Sequence, residues 1–441
     1  MEKRYAQELV NIRKWRRDNV PLLLESILIG VATGLAIAGF RYAMGVFDRL
    51  RRDLYLTLME VSSNWLSLWV AALVLLGFFL GRVGVLRPMV KGGGIPQIKM
   101  PQFRRRSMDW LIDLPLKFLC TAISLSAGLS LGKCGPSVQM GAYVGKGVYS
   151  MFPREDDAER DALISGSAAA GFSAVFNAPM AGILFVVEEL RIPLSPRFLF
   201  CVMSAATAAD FTAAYYLKSG HLFDFSGIGV LPVRLIPWIV VLGVLSAVFG
   251  DIFKRSIYGS LDIYEKLHIP PLVRPIIPLV VSVPLGLFWF DVTGGGYELI
   301  NSLLTEERGP GLIGLLLAGK ILFTALCAGS GVAGGIFFPL LACGALTGSG
   351  LGKLLAVCGL IPDGQVHSFM ILGIAAFFTA VIKAPLTGMI LILELSGTIN
   401  HLGTLVPVCL ASFIVSELIE SRSVNEVLTE RLLAQKKPLL R

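Results

Sequence analysis

The stretch AAAGFSAVFNAPMAGILFVVEEL, residues 168–190, returns 206 positions later as IAAFFTAVIKAPLTGMILILELS, residues 374–396. Ala169, Ala170, Phe172, Ala174, Val175, Ala178, Pro179, Gly182 and Glu188 recur as Ala375, Ala376, Phe378, Ala380, Val381, Ala384, Pro385, Gly388 and Glu394. A second pair precedes the first, at an offset of 203. Lys117, Thr121, Ala122, Gly132, Pro136, Gly141, Ala142 and Gly145 recur as Lys320, Thr324, Ala325, Gly335, Pro339, Gly344, Ala345 and Gly348. Two matches in the same order, carrying Pro, Gly and Lys besides apolar residues, mark an internal repeat. They divide the chain into halves at 21–215 and 231–425, joined by a loop at 216–230 and followed by a tail at 426–441.

Both halves are too apolar for a soluble protein. Hydrophobic residues make up 54% of the chain and charged residues 16%, and the mean hydropathy is +0.71. Apolar runs at 27–47, 66–82, 231–250, 276–290, 311–328 and 402–418 are each near the ~20 residues a helix needs to cross a bilayer. None alternates as a membrane β-strand would. The class is therefore all-α and polytopic, embedded in a lipid bilayer. Many runs are short or contain Gly and Pro, which suits broken or re-entrant helices covered by protein or lining water.

The first 20 residues form a basic amphipathic helix rather than a signal peptide. Lys3, Arg4, Arg13, Lys14, Arg16 and Arg17 place this end in the cytoplasm by the positive-inside rule. The net charge of +8 fits basic loops on that side and gives no sign of nucleic-acid binding. Seven cysteines at 120, 134, 201, 327, 343, 358 and 409 lie in or beside apolar segments without a pairing rhythm, so they read as small buried hydrophobes.

Transporters built from repeats place their sites at broken helices in matching positions. Here the breaks are GLSLGKCGP in one half and GVAGGIFFP in the other, and Cys134 pairs with Phe337. Each break runs from glycines through Pro into an apolar helix. Helix starts of this kind leave N–H groups unpaired and favour an anion. A third segment, VKGGGIPQIKMP at 90–101, has the same order. Three such starts with few full charges suit a small anion that must also leave. The alternative, glycines that only let helices pack closely, explains one segment better than three.

These stretches resemble the CLC family of chloride channels and chloride/proton antiporters. GGGIP (92–96) is similar to the family's GSGIP, GKCGP (132–136) to GREGP or GKEGP, and GIFFP (335–339) to GxFxP. FNAPMAGILFVVEE (176–189) and KAPLTGMILILE (383–394) are similar to its later helices. The resemblance implies about eighteen helices in two inverted repeats and a homodimer with one pore per subunit. It implies an anion held by main-chain N–H groups near Gly93, Gly94 and Ile95, near Lys133, Cys134 and Gly135, and at Ile336 and Phe337. Cytoplasmic CBS domains follow the membrane part in many relatives; here the chain stops too soon for one.

Three departures fall on the implied pathway. Gly93 stands where the family has serine, Cys134 where it has the gating and proton-carrying glutamate, and Asn425 where a tyrosine closes the inner side. Glu189 matches the family's inner proton glutamate, against a plainer reading as a helix-end residue beside Arg191; Glu188, echoed by Glu394, belongs to the repeat. A thiol, with an ordinary pKa of about 8.5, is uncharged at neutral pH and shorter than glutamate, so the outer site is expected to be open. The sequence thus predicts passive anion flux weakly or not coupled to protons. A chloride/proton antiporter working through Glu189, and a secondary transporter of another anion, are the alternatives. No enzyme, cofactor or metal is expected: the histidines at 221, 268, 367 and 401 are scattered, with no HExxH, and GLLLAGKI lacks the final Ser/Thr of a phosphate loop.

Overall fold

The computed structural model describes residues 2–60, 63–100, 103, 109–151, 157–191, 195–218, 223, 225, 227–397 and 399–436, with side chains, among these, at 19–57 and 64–434. Among these residues there are 17 α-helices and no strands beyond one isolated bridge. Helix α1 runs from Glu2 to Glu60 and so includes most of the basic segment 1–20; the side chains of 1–18 lie outside the described residues.

Seven helices are long and apolar enough to span a membrane. Four lie toward the periphery: α1, α2 (Ser63–Leu86), α8 (Pro196–Leu217) and α9 (Ile236–Lys266). They turn large apolar side chains such as Leu75 and Phe211 outward, as lipid-facing helices do. The centre is α5 (Cys134–Met151) against α6 (Asp157–Phe176) and, in the second half, α13 (Phe337–Val357) against α14 (Val366–Ile382). Small residues let these pairs approach. A Cβ on Gly141 would lie 2.2 Å from the Ser167 carbonyl oxygen, and one on Gly348 2.1 Å from that of Phe369.

Other helices are too short to span. Both α7 (Pro179–Leu190) and α15 (Pro385–Ser396) have 12 residues, about 18 Å at 1.5 Å per residue. Shorter still are α3 (Ile95–Lys99) and α11 (Tyr297–Thr305). The broken helices expected from the sequence are therefore present.

The halves meet at their repeat-related glycines. Gly132 N–H donates to the Gly335 carbonyl at 2.5 Å, and Gly335 N–H donates back at 2.8 Å. Two repeat-related lysines hold the flanking loops. Lys117, on α4 (Trp110–Ser126), donates to the carbonyls of Val90 and Gly92 at 2.9 and 2.7 Å. Lys320, on α12 (Pro310–Gly329), donates to those of Val292, Thr293 and Gly294 at 3.0, 3.2 and 2.8 Å. Both are fully buried, and a buried ammonium persists only where such partners replace water.

Candidate functional site

The two repeat-related breaks become two helix starts. Cys134 is the first residue of α5, and Phe337 is the first of α13. The Gly132–Gly335 bridge fixes them side by side. The third start, α3, is capped at Gly94, where φ is +95°. That is left-handed backbone, where glycine is favoured. The Gln97 side chain accepts from Gly94 N–H at 3.0 Å and donates to the Lys91 carbonyl at 2.7 Å, which locks the loop onto the short helix.

Glycines let the three starts touch. A Cβ on Gly135 would sit 2.3 Å from the Gly93 carbonyl oxygen and 3.6 Å from the Gly335 Cα. Around this point is a cavity of about 160 Å³ whose wall includes Gly93, Ile95, Gly135, Ile336, Phe337 and Asn425. Asn425 comes from α17 (Val424–Lys436) and is buried, with its side-chain amide against the Glu189 carboxylate. The Phe337 ring is held edge-on by Phe185 and Phe378 at centroid distances of 5.6 and 5.4 Å. The cavity wall thus combines backbone of three helix starts with the Asn425 side chain. Lys91, Arg274, Arg431 and Glu265 also line the cavity. Three helix starts, with three cationic side chains against one carboxylate, favour a small anion there.

Four of the expected site residues do not line this cavity. Gly94 lies behind it, against Gln139. Cys134 is completely buried. The Phe176 and Phe338 rings, one from each half, stack at 5.3 Å. Lys133 lies with its ammonium over the rings of Phe338 and Tyr297, at 5.3 and 5.9 Å. Glu189 is buried and pairs with Lys99 of α3 at 2.7 Å. It is not the partner of Arg191, whose guanidinium instead reaches Glu426 of α17 at 3.4 Å. Glu189 is therefore tied to the helix start that contributes Gly93 and Ile95.

The sequence reading missed Gln97, whose role depends on the fold of the loop. It also missed the loop VTGGG (292–296), although VKGGG (90–94) stands 202 residues earlier.

Over residues 72–417 the sequence matches the family described as voltage gated chloride channel. The chain belongs to this family. Its members are transporters and channels, not enzymes, and the sequence resemblance pointed to the same family. This CLC chain is 31% identical over 437 residues to the H(+)/Cl(-) exchange transporter ClcA of Vibrio cholerae serotype O1, covering 96% of this chain and 92% of that one. It is 32% identical over 432 residues to ClcA of Vibrio parahaemolyticus serotype O3:K6, covering 94% and 91%. Its fold is similar to that of a slow cyanobacterial Cl-/H+ antiporter, with a TM-score of 0.86 at 26% identity, covering 94% of this chain and 98% of that one. A CLC-type fluoride/proton antiporter has the same fold at a TM-score of 0.75 and 22% identity, covering 90% and 95%. The CLC fold of two inverted repeats accounts for the bridge at Gly132 and Gly335.

Proposed function

We propose that this CLC protein carries chloride, or a similar small anion, through a pore in each subunit, passively and with weak or no coupling to protons. One observation carries the last part: the first residue of α5 is Cys134. The family places a glutamate there, a carboxylate able to compete with the anion and to release it when protonated. A thiol does neither at neutral pH. Anion binding is supported by the three helix starts around one cavity and by the cationic Lys91, Arg274 and Arg431 in its wall. We place the face carrying α17 in the cytoplasm, with both termini, in the cell membrane, and the chain in a homodimer; the basic residues near the start and the family likeness support these readings.

A second reading is a chloride/proton exchanger. It is favoured by the relatives named as exchange transporters and by Glu189, buried beside Lys99 and linked through it to α3. Transport of another small anion is the third, since Gly93 lacks the family's hydroxyl. Recording anion efflux and pH together in proteoliposomes separates them. Passive flux gives anion movement with no uphill proton movement. Uphill proton movement driven by a chloride gradient would overturn the passive reading in favour of the exchanger. Replacing chloride by nitrate, bromide or fluoride ranks the anions.

A further inference from the structure

We propose a second small-anion site, on the side of the Gly132–Gly335 bridge away from α17, formed by the loop 293–297 and Arg51. It rests on the reading of the chain as an anion carrier. VKGGGIPQI (90–98) and VTGGGYELI (292–300) are counterparts at an offset of 202. Their backbones match: φ is +62° at Gly92 and +63° at Gly294, and +95° at Gly94 and +98° at Gly296. Lys117 clamps one loop through its carbonyls and Lys320 the other. Gly92 N–H donates to the Gly331 carbonyl at 3.3 Å, and Gly294 N–H donates to that of Gly128, the repeat partner of Gly331, at 2.9 Å. The loop on the candidate anion site thus has a structural copy in the other, inverted half.

The copies differ in how their N–H groups are used. In the first, the Gln97 side chain occupies Gly94 N–H. The counterpart of Gln97 is Leu299, which has no acceptor, and the nine-residue α11 opens with no side-chain cap at Gly296. Arg51 fills the neighbouring space. Its side chain is only 4% exposed. One guanidinium nitrogen donates to Thr293 Oγ1 at 3.2 Å, another lies 3.7 Å from Asp48, and the group covers the Phe290 ring at 5.0 Å. Its Nε has no partner. Arg51, Thr293, Gly294–Gly296 and Tyr297, together with Asp48, Asp291 and Glu298, line a cavity of about 30 Å³, enough for one water-sized species. A buried cation with an unused donor, beside an uncapped helix start, is the chemistry of a monovalent anion site.

The site stands next to the start of α5, because Lys133, which precedes Cys134, holds its ammonium over the Tyr297 ring. The three carboxylate residues in that wall limit its affinity. Asp48 is engaged with Arg51, Asp291 pairs with Arg308 at 2.8 Å, and Glu298 lies in the first turn of α11. Weak binding suits a station that an anion must leave.

The test uses the full-length protein and bromide. Anomalous diffraction from wild-type crystals soaked in bromide is expected to show density between Arg51 and Gly296. In proteoliposomes, Arg51→Gln is expected to raise the half-saturating bromide concentration on the side opposite α17 about tenfold, and Arg51→Lys to raise it less. Density at the three helix starts with none at Arg51 overturns this site and leaves the anion-carrier reading standing. Density at neither place overturns both. An Arg51→Gln protein that is monodisperse with unchanged half-saturation also overturns the proposal, and if that variant does not fold, the wild-type density decides.

Discussion

Glu188 and Glu394 each close the start of the helix on which the other stands. Glu394 of α15 accepts from Met180 and Ala181 N–H at 2.9 and 2.8 Å, at the start of α7. Glu188 of α7 accepts from Leu386 and Thr387 N–H at 3.0 and 2.7 Å, at the start of α15, and from the Thr387 hydroxyl at 2.6 Å. Both helices open with proline, Pro179 and Pro385. Proline has no N–H, so the next two donors are the first that need an acceptor, and a carboxylate also complements the helix dipole. The repeat keeps both glutamates because each half supplies the cap that the other lacks.

Removing either cap should therefore cost similar amounts. Glu188→Ala and Glu394→Ala are each expected to destabilise by about 1–3 kcal/mol, read as a lower Tm in detergent. Glutamine keeps one acceptor oxygen and should cost less. Equal Tm values for wild type and both alanine variants would show that the caps carry no stability.

The clamping lysines should be less forgiving. Lys320→Met leaves three buried carbonyls without a donor, and Lys117→Met does the same to the loop on the candidate anion site. Losing one partner of a buried charged group costs about 3–5 kcal/mol. Either variant is expected to shift most of the protein into aggregates on size-exclusion chromatography. A monodisperse Lys320→Met protein with wild-type Tm would contradict the clamp.

The pairing of Cys134 with Phe337 was legible because the repeat preserves Gly132, Pro136, Gly335 and Pro339 around it. The pairing of loop 90–94 with 292–296 was not. Glu298 replaces Pro96 and Leu299 replaces Gln97, which removes the sequence marks of a helix start while the glycines keep the backbone. Nor did local sequence show that Cys134 is enclosed. Burial there depends on packing between the halves, including the stacked rings of Phe176 and Phe338, 162 residues apart. Glu189 sits two residues from Arg191 in sequence, yet α7 turns it toward Lys99, 90 residues away.

The glycines at the site should differ sharply in tolerance. At Gly93 the backbone is not left-handed, and a Cβ would meet only the Gly335 Cα at 3.6 Å and the Gly334 carbonyl oxygen at 3.8 Å. Gly93→Ser is expected to fold normally and to add a hydroxyl donor at the cavity wall, changing the chloride-to-nitrate flux ratio by roughly 2- to 10-fold. At Gly135 a Cβ would lie 2.3 Å from the Gly93 carbonyl oxygen. Gly135→Ala must push the α3 loop aside and is expected to abolish flux in protein that still purifies. The same flux ratio in Gly93→Ser and wild type would remove Gly93 from the anion wall.

Cys134 decides between passive flux and coupling, and charge at that position supplies the test. In Cys134→Glu a carboxylate stands at the start of α5, beside the unpaired N–H groups an anion would use. It competes with the anion while ionised and stops competing when protonated. Flux is therefore expected to fall at least about tenfold at pH 7.5 and to recover as the pH drops toward the ordinary glutamate range near 4.3. Wild-type flux should stay flat over the same interval, because the thiol is uncharged throughout it. A Cys134→Glu protein with pH-independent flux equal to wild type would mean that the start of α5 lies off the anion path. A steep pH dependence in wild type would assign a proton-linked step to another group, with Glu189 the first to replace by glutamine.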